Sequence, residues 1–287
     1  MAFSSKVRII LEMIKFEHTI FALPFAYLGM VLGADGKPRF STFVLITIAM
    51  VGARSYAMAL NRIFDRTLDK KNPRTASRAL PMGLVSVRET VMLAAVSLIS
   101  FLLAIYLLPP LCRLLWPLVI IPMSIYSLTK RFTWLCHIIL GLCLGLAPLG
   151  AWIATTNTLP PAGISSLGLA VVFWTAGFDI IYSCQDYAFD QHQGLYSIPA
   201  RFGLHKALIF SKIFHGLTVA FLLLMGLDFG LGPLFYGGIV MIAGFLWYEN
   251  HLIKPDDLSK ITMSFFTLNG FVSIFIFAFT YIALMLM

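Results

Sequence analysis

Long apolar runs separated by polar connections organise the whole chain. A helix that crosses a bilayer needs about 20 mostly apolar residues. Runs of this kind fall at roughly 18–34, 42–60, 90–108, 114–129, 134–155, 164–185, 207–226, 231–248 and 263–286. None shows the sustained alternation of a half-buried strand, and lipid offers no partner to the backbone of an open sheet. The pattern predicts an all-α membrane protein, a bundle of nine transmembrane helices. No stretch is left for a separate soluble unit, so residues 1–287 read as a single polytopic domain. Ahead of the first run, residues 3–16 set Val7, Ile9, Ile10, Leu11 and Ile14 against charged neighbours, the pattern of a helix lying in the membrane interface. Mixed charge there, and no small-residue cleavage site, argue against a cleavable signal peptide.

Composition agrees. Hydrophobic residues make up 59% and charged residues 12%, against about 25% charged in ordinary soluble domains. With the N-terminus placed in the cytoplasm, Lys37, Arg39 and Arg113 are the basic residues of the outer loops and Arg54 lies inside a span; the rest of the 21 Lys and Arg fall on the inner side. That bias is the positive-inside rule. It accounts for the net charge of +8 without a nucleic-acid partner. Cys112, Cys136, Cys143 and Cys184 sit in or beside apolar runs with no CxxC pair, as small buried residues do.

Two inner connections break the monotony. The first contains Asn61-x₃-Asp65-x₃-Asp69, and the second Asp186-x₃-Asp190. Residues four apart share a helix face, where like charges repel by a few tenths of a kcal/mol. A single such pair reads best as solvated acids paired to nearby Lys and Arg. Two pairs, each following an even-numbered span and so on one membrane side, read better as a cation site. Mg²⁺ takes one or two carboxylates and fills its octahedron with waters and phosphate oxygens, so facing clusters would hold a diphosphate through bridging metals. Arg62, Arg66, Lys70, Arg74 and Arg78 flank the first cluster, and guanidinium forks match phosphate oxygens. Tyr126 and Lys130, again four apart, suit either a ligand or topology alone.

Charge within spans costs at least about 2.5–3.5 kcal/mol, so it usually faces the bundle interior or a wet cavity. Arg54 lies two turns before Asn61, and Asp179 two turns before Asp186. Both are expected to line a polar pocket, an Arg54–Asp179 ion pair being the structural alternative. Glu17 and His18 open the first span, where a histidine is more often a helix-end residue than a ligand.

At these residues the sequence resembles the UbiA superfamily of intramembrane aromatic prenyltransferases. The resemblance is carried by NRIFDRTLDKKNPRTASRALPMG, then YSLTKR, then DIIYSCQDYAFD, while the opening IKFEHTIFALPFAY looks like the branch that prenylates 4-hydroxybenzoate or a related dihydroxynaphthoate. It extends over essentially the whole chain. It implies a nine-helix bundle with a cytoplasmic-side active-site cap, in a bacterial inner membrane, and Mg²⁺-dependent transfer from a polyprenyl diphosphate to an aromatic acid in ubiquinone or menaquinone synthesis. Asn61, Asp65, Asp69, Asp186 and Asp190 would then hold Mg²⁺ and diphosphate, with Arg62, Tyr126 and Lys130 on the diphosphate. Arg54 suits the acceptor's carboxylate, and Asp65, Asp186 or the released diphosphate would take the ring proton. Membrane lipid surrounds the protein and no obligate protein partner is implied. One rival is a transporter, which would place its acids near the bilayer midplane and break its helices there. A haem farnesyltransferase shares the superfamily motif, and a CDP-alcohol phosphotransferase would need a DG step where this chain has Asp69-Lys70.

Overall fold

The computed structural model describes residues 3–16, 19–263 and 267–287; Glu17 and His18 lie outside these. In chain order the helices are α1 (Phe3–Met13), α2 (Thr19–Gly33), α3 (Phe40–Lys71), α4 (Val87–Leu107), α5 (Pro110–Leu115), α6 (Pro117–Thr129), α7 (Cys136–Thr156), α8 (Ala162–Ser183), α9 (Tyr187–Gln193), α10 (Ile198–Asp228), α11 (Pro233–Leu252), the single turn α12 (Ile261–Met263) and α13 (Asn269–Met285). A 3₁₀ turn, Cys184–Asp186, joins α8 to α9. Among the described residues the sole non-helical pairing is a bridge between Lys254 and Asp257. Among the described residues, six segments are long and apolar enough to cross a membrane: Phe40–Lys71, Val87–Leu107, Pro110–Thr129, Cys136–Thr156, Ala162–Gln193 and Ile198–Asp228. Ala22–Gly33 and Asn269–Met285 are shorter apolar helices.

α8 is the centre of the bundle, packed against α7 on one side and α10 on the other. Its apolar stretch is 67% buried, against 17% for Pro110–Thr129 at the rim. Its inward residues, Ile164, Leu167, Val171 and Trp174, form one core with Leu28 of α2, Met225 of α10, Ile242 of α11 and Ile276 of α13. The α7–α8 contact is close because glycine makes it so. A Cβ on Gly141 would sit 2.3 Å from the Val172 carbonyl oxygen, and one on Gly145 would sit 2.7 Å from the Gly168 carbonyl oxygen. Between helices in lipid, small residues bring backbones together where no hydrophobic drive exists.

Two loops matter for the site. After α3 the chain turns at Asn72, and Ser86 restarts it at α4 with a capping box to Glu89. The intervening loop gives Leu80 and Val85 to a small core with Met13 and Ile14. The amphipathic N-terminal helix therefore packs on this loop as well as offering Val7 and Leu11 outward. After α9, Ser197 caps α10 by accepting from the Ala200 N–H. Gly203 bends α10 five residues into the helix, at φ 81°, a conformation that side chains with a Cβ rarely adopt.

Candidate active site

α3 runs unbroken for 32 residues, so Arg54, Asn61, Asp65 and Asp69 stack along one side of one rod. They line a cavity of about 540 Å³, closed by Tyr126 and Lys130 at the end of α6, by His137 at the start of α7, and by Asp179, Asp186 and Asp190 of the α8–α9 arm. Arg62 also lines it, so all ten residues expected at a site share this cavity. The two neighbours Arg66 and Lys70 do not. Each follows an aspartate by one residue, which rotates it about 100° around the helix, and both are exposed. Their placement around the acid cluster is thus corrected.

Asp65 is the most enclosed of the cavity's acids, 2% exposed. Lys130 Nζ donates to its Oδ2 at 2.7 Å and Asn61 Nδ2 to the same oxygen at 3.1 Å. Arg131 stands 3.7 Å from Oδ1. Asn61 is held in turn by Arg62, whose Nη1 donates to Asn61 Oδ1 at 3.1 Å while its Nε donates to the Met13 carbonyl at 2.9 Å. Arg62 therefore ties the end of α1 to the motif as well as facing the cavity. Asp69 receives Arg78 Nη1 on Oδ1 at 2.7 Å. Its Oδ2 is buried and meets no hydrogen-bond donor among the described residues.

The second acid pair follows a break in the helix. α8 ends at Ser183, and Asp186 closes the 3₁₀ turn with φ −97° and ψ 4°. Asp186 is thus the N-cap of α9, with Asp190 one turn further along it, and the two have different partners. Arg74 forks onto Asp186, with Nε donating to Oδ1 at 2.9 Å and Nη2 to Oδ2, while its Nη1 reaches the Tyr182 hydroxyl at 3.1 Å. Burial pushes the Arg74 pKa down, but the hydrogen bond and charge of Asp186 outweigh it and hold the guanidinium above its ordinary value. Asp190 Oδ2 accepts from Ser197 Oγ at 3.0 Å.

Three contacts were not legible in the motifs. Asn72 Nδ2 donates to Asp186 Oδ1 at 2.8 Å and so joins the first loop to the second. His137 Nδ1 lies 2.7 Å from Asp179 Oδ2, a partner for which no spacing gave a signal. The third is the Ser197 hydroxyl on Asp190.

Among the described residues, no three His, Cys, Asp or Glu side chains gather closely enough to cage a metal ion by themselves. What is present is a set of hard oxygen donors, one of them an unpartnered buried carboxylate oxygen at Asp69, ringed by Lys130, Arg74 and Arg78. Such a set can bind a cation that takes its remaining ligands from an anionic substrate. Above it, a second cavity of about 360 Å³ runs between α3, α4, α6 and α7, walled by Ile46, Phe101, Ile105, Trp116 and Leu118. The two cavities share Ala22, Arg54, Met58, Tyr126, Leu140 and Leu144.

A helical membrane bundle with acids and cations at one end of an apolar chamber defines the class, and the comparisons place the chain within it. Residues 22–281 match the UbiA prenyltransferase family. The 4-hydroxybenzoate octaprenyltransferase of Vibrio atlanticus is 31% identical over 242 residues, 84% of each chain. That of Vibrio cholerae is 30% identical over 241 residues, 84% of each chain. Among solved structures, a UbiA homolog from Aeropyrum pernix K1 is 35% identical with a TM-score of 0.83, over 93% of this chain and 98% of that one. A UbiA homolog from Archaeoglobus fulgidus bound to GPP and Mg²⁺ shares the fold, with TM-score 0.74 and 21% identity over 96% of this chain and 99% of that one. The chain belongs to the UbiA prenyltransferase family: it is an integral membrane prenyltransferase.

Proposed function

We propose that the protein transfers a polyprenyl group from its diphosphate to a 4-hydroxybenzoate-like aromatic acid, in ubiquinone or menaquinone synthesis, with the whole chain acting as one domain. The observation that carries this reading is the single cavity in which both aspartate groups meet Lys130, Arg74 and Arg78 directly beside an apolar chamber. A diphosphate needs the first set and a prenyl chain the second. Relatives named for 4-hydroxybenzoate support the acceptor class at about this identity, and a dihydroxynaphthoate is the neighbouring alternative. The positive-inside bias supports nine spans with the N-terminus and the site on the cytoplasmic side of a bacterial inner membrane, the polar loops after α3 and α9 forming the cap.

Asp65 and Asp69 on one side, and Asp186 and Asp190 on the other, would hold Mg²⁺ with Asn61 as a neutral oxygen ligand. Bound there, the ion would supply neutralisation of the diphosphate charge as the allylic carbon–oxygen bond breaks. Lys130, Arg74, Arg78 and Arg62 add fixed positive charge at the same end, where the leaving diphosphate takes the bond's electron pair. The allylic carbon then bonds to the ring carbon ortho to the acceptor's hydroxyl, and the proton on that carbon leaves to Asp65, Asp186 or the departed diphosphate. Arg54, at the junction of the two cavities, would take the acceptor's carboxylate. Tyr126 would complete the wall around the diphosphate and Asp179 that around the acceptor.

Membranes containing the protein, given labelled prenyl diphosphate, Mg²⁺ and a panel of aromatic acids, should yield a prenylated acid whose mass identifies donor and acceptor. Flux of substrate without covalent product would overturn the reading.

A further inference from the structure

We infer that His137 is a positioning residue for the transfer reaction, holding Asp179 against the cavity wall in register with the loop that carries Ser197. This rests on the reading of the cavity as the site where donor and acceptor meet.

His137 stands in the first turn of α7, its side chain 3% exposed, between α8 and the start of α10. The Ile198 N–H donates to its Nε2 at 3.2 Å. A ring nitrogen that accepts carries no proton, so the proton lies on Nδ1 and is donated to Asp179 Oδ2 at 2.7 Å. Both ring nitrogens are thus committed to the protein, and neither is left to touch a substrate or a metal. Whatever the ring contributes passes through Asp179, whose side chain is 24% exposed and lines the cavity with Asp186 and Asp190.

The short segment that grips the ring also grips the acids. Ser197, next to Ile198, donates through Oγ to Asp190 Oδ2 at 3.0 Å. Tyr196, one residue earlier, donates its N–H to the Lys130 carbonyl at 2.7 Å. Three consecutive residues therefore refer Lys130, Asp190 and, through the imidazole, Asp179 to one stretch of backbone. A bond to a buried ring fixes a carboxylate rotamer that solvent would leave free, and a small misplacement of a positioning group can cost about 100-fold in rate. Among the acids, removing the ring releases only Asp179, because Asp190 keeps its own bond to Ser197 and Asp186 its fork to Arg74. The loss should therefore fall on the acceptor and spare the diphosphate.

The test uses the full-length protein in nanodiscs with Mg²⁺, varying prenyl diphosphate and aromatic acid separately. His137→Ala should lower kcat/KM for the acid at least tenfold while KM for the diphosphate stays within twofold. Asp179→Asn should do the same, and the double variant should fall less than twofold below the weaker single. His137→Gln, whose amide can accept from Ile198 and donate to Asp179, should regain at least half of the lost activity. If the alanine variant does not purify, His137→Phe, which fills the ring's space but offers Asp179 no donor, replaces it. Multiplicative losses, equal losses for both substrates, or no loss at all in wild-type-active preparations would overturn the positioning role alone. A wild-type protein that prenylates none of the acids would remove the reading of the cavity, and this inference with it.

Discussion

Lys130 Nζ lies 2.7 Å from Asp65 Oδ2, joining the end of α6 to the middle of the acidic motif on α3. The pair is enclosed on the Asp65 side and one-third open on the lysine side, at 3% and 32% exposed. An ammonium placed there can serve a carboxylate before substrate binds and a phosphate oxygen afterwards. Lys130→Met should therefore reduce kcat by about 10²–10³, as removal of one donor to developing negative charge does. Asp65→Asn should abolish transfer while the protein still inserts and purifies. Steady-state rates on the two purified variants, beside their thermal midpoints, check this; turnover near wild type in Asp65→Asn defeats the proposed metal role.

Asp69 Oδ2, buried and without a hydrogen-bond donor among the described residues, has much to gain from a cation. Chelating divalent metal should stop transfer, and adding Mg²⁺ back should restore it. In Asp69→Asn and Asp190→Asn the Mg²⁺ concentration for half-maximal rate should rise about tenfold or more, the scale on which perturbed metal sites respond. A metal titration of each variant decides the matter, and unchanged midpoints would remove these residues from the ion.

Arg54 donates to the Lys15 carbonyl at 3.4 Å and also lines both cavities. Arg54→Ala should raise the acceptor KM by about tenfold, the equivalent of roughly 1.4 kcal/mol of lost binding, with a much smaller change for the donor. Equal effects on both constants reassign the residue to holding the segment after α1.

Gly141 is where α7 meets α8 at closest range, a Cβ there falling 2.3 Å from the Val172 carbonyl oxygen. Gly141→Ala should cost about 1–3 kcal/mol, as overpacking of a tight contact does, and lower the unfolding midpoint in detergent. It should also reduce activity, because α7 carries His137 and α8 carries Asp179. Gly150, with open space around its missing Cβ, is the control: Gly150→Ala should leave the midpoint at or above wild type.

The apolar runs and the loop charges were enough to read a helical membrane protein, because lipid restricts backbone to helices and spans need a minimum length. The acids of the first motif were legible for a similar reason. Asn61, Asp65 and Asp69 lie on one continuous helix, where spacing alone decides which side chains share a face. Before the second motif, a 3₁₀ turn at Cys184–Asp186 interrupts the helix, so the rotation from Asp179 to Asp186 is not that of a continuous α-helix.

Partners across helices are another matter. His137 and Asp179 are 42 residues apart, and Asn72 and Asp186 are 114 apart. Which of them meet depends on how α3, α7 and α8 are rotated and how closely they approach, and glycines such as Gly141 and Gly145 set that approach through backbone contact. Periodicity records the face each helix buries but not the neighbour that face will find. Sequence alone determined the membrane, the helical class and the spacing of the first acids; only packing decided which cation holds each acid, and that the imidazole of His137 would stand behind Asp179.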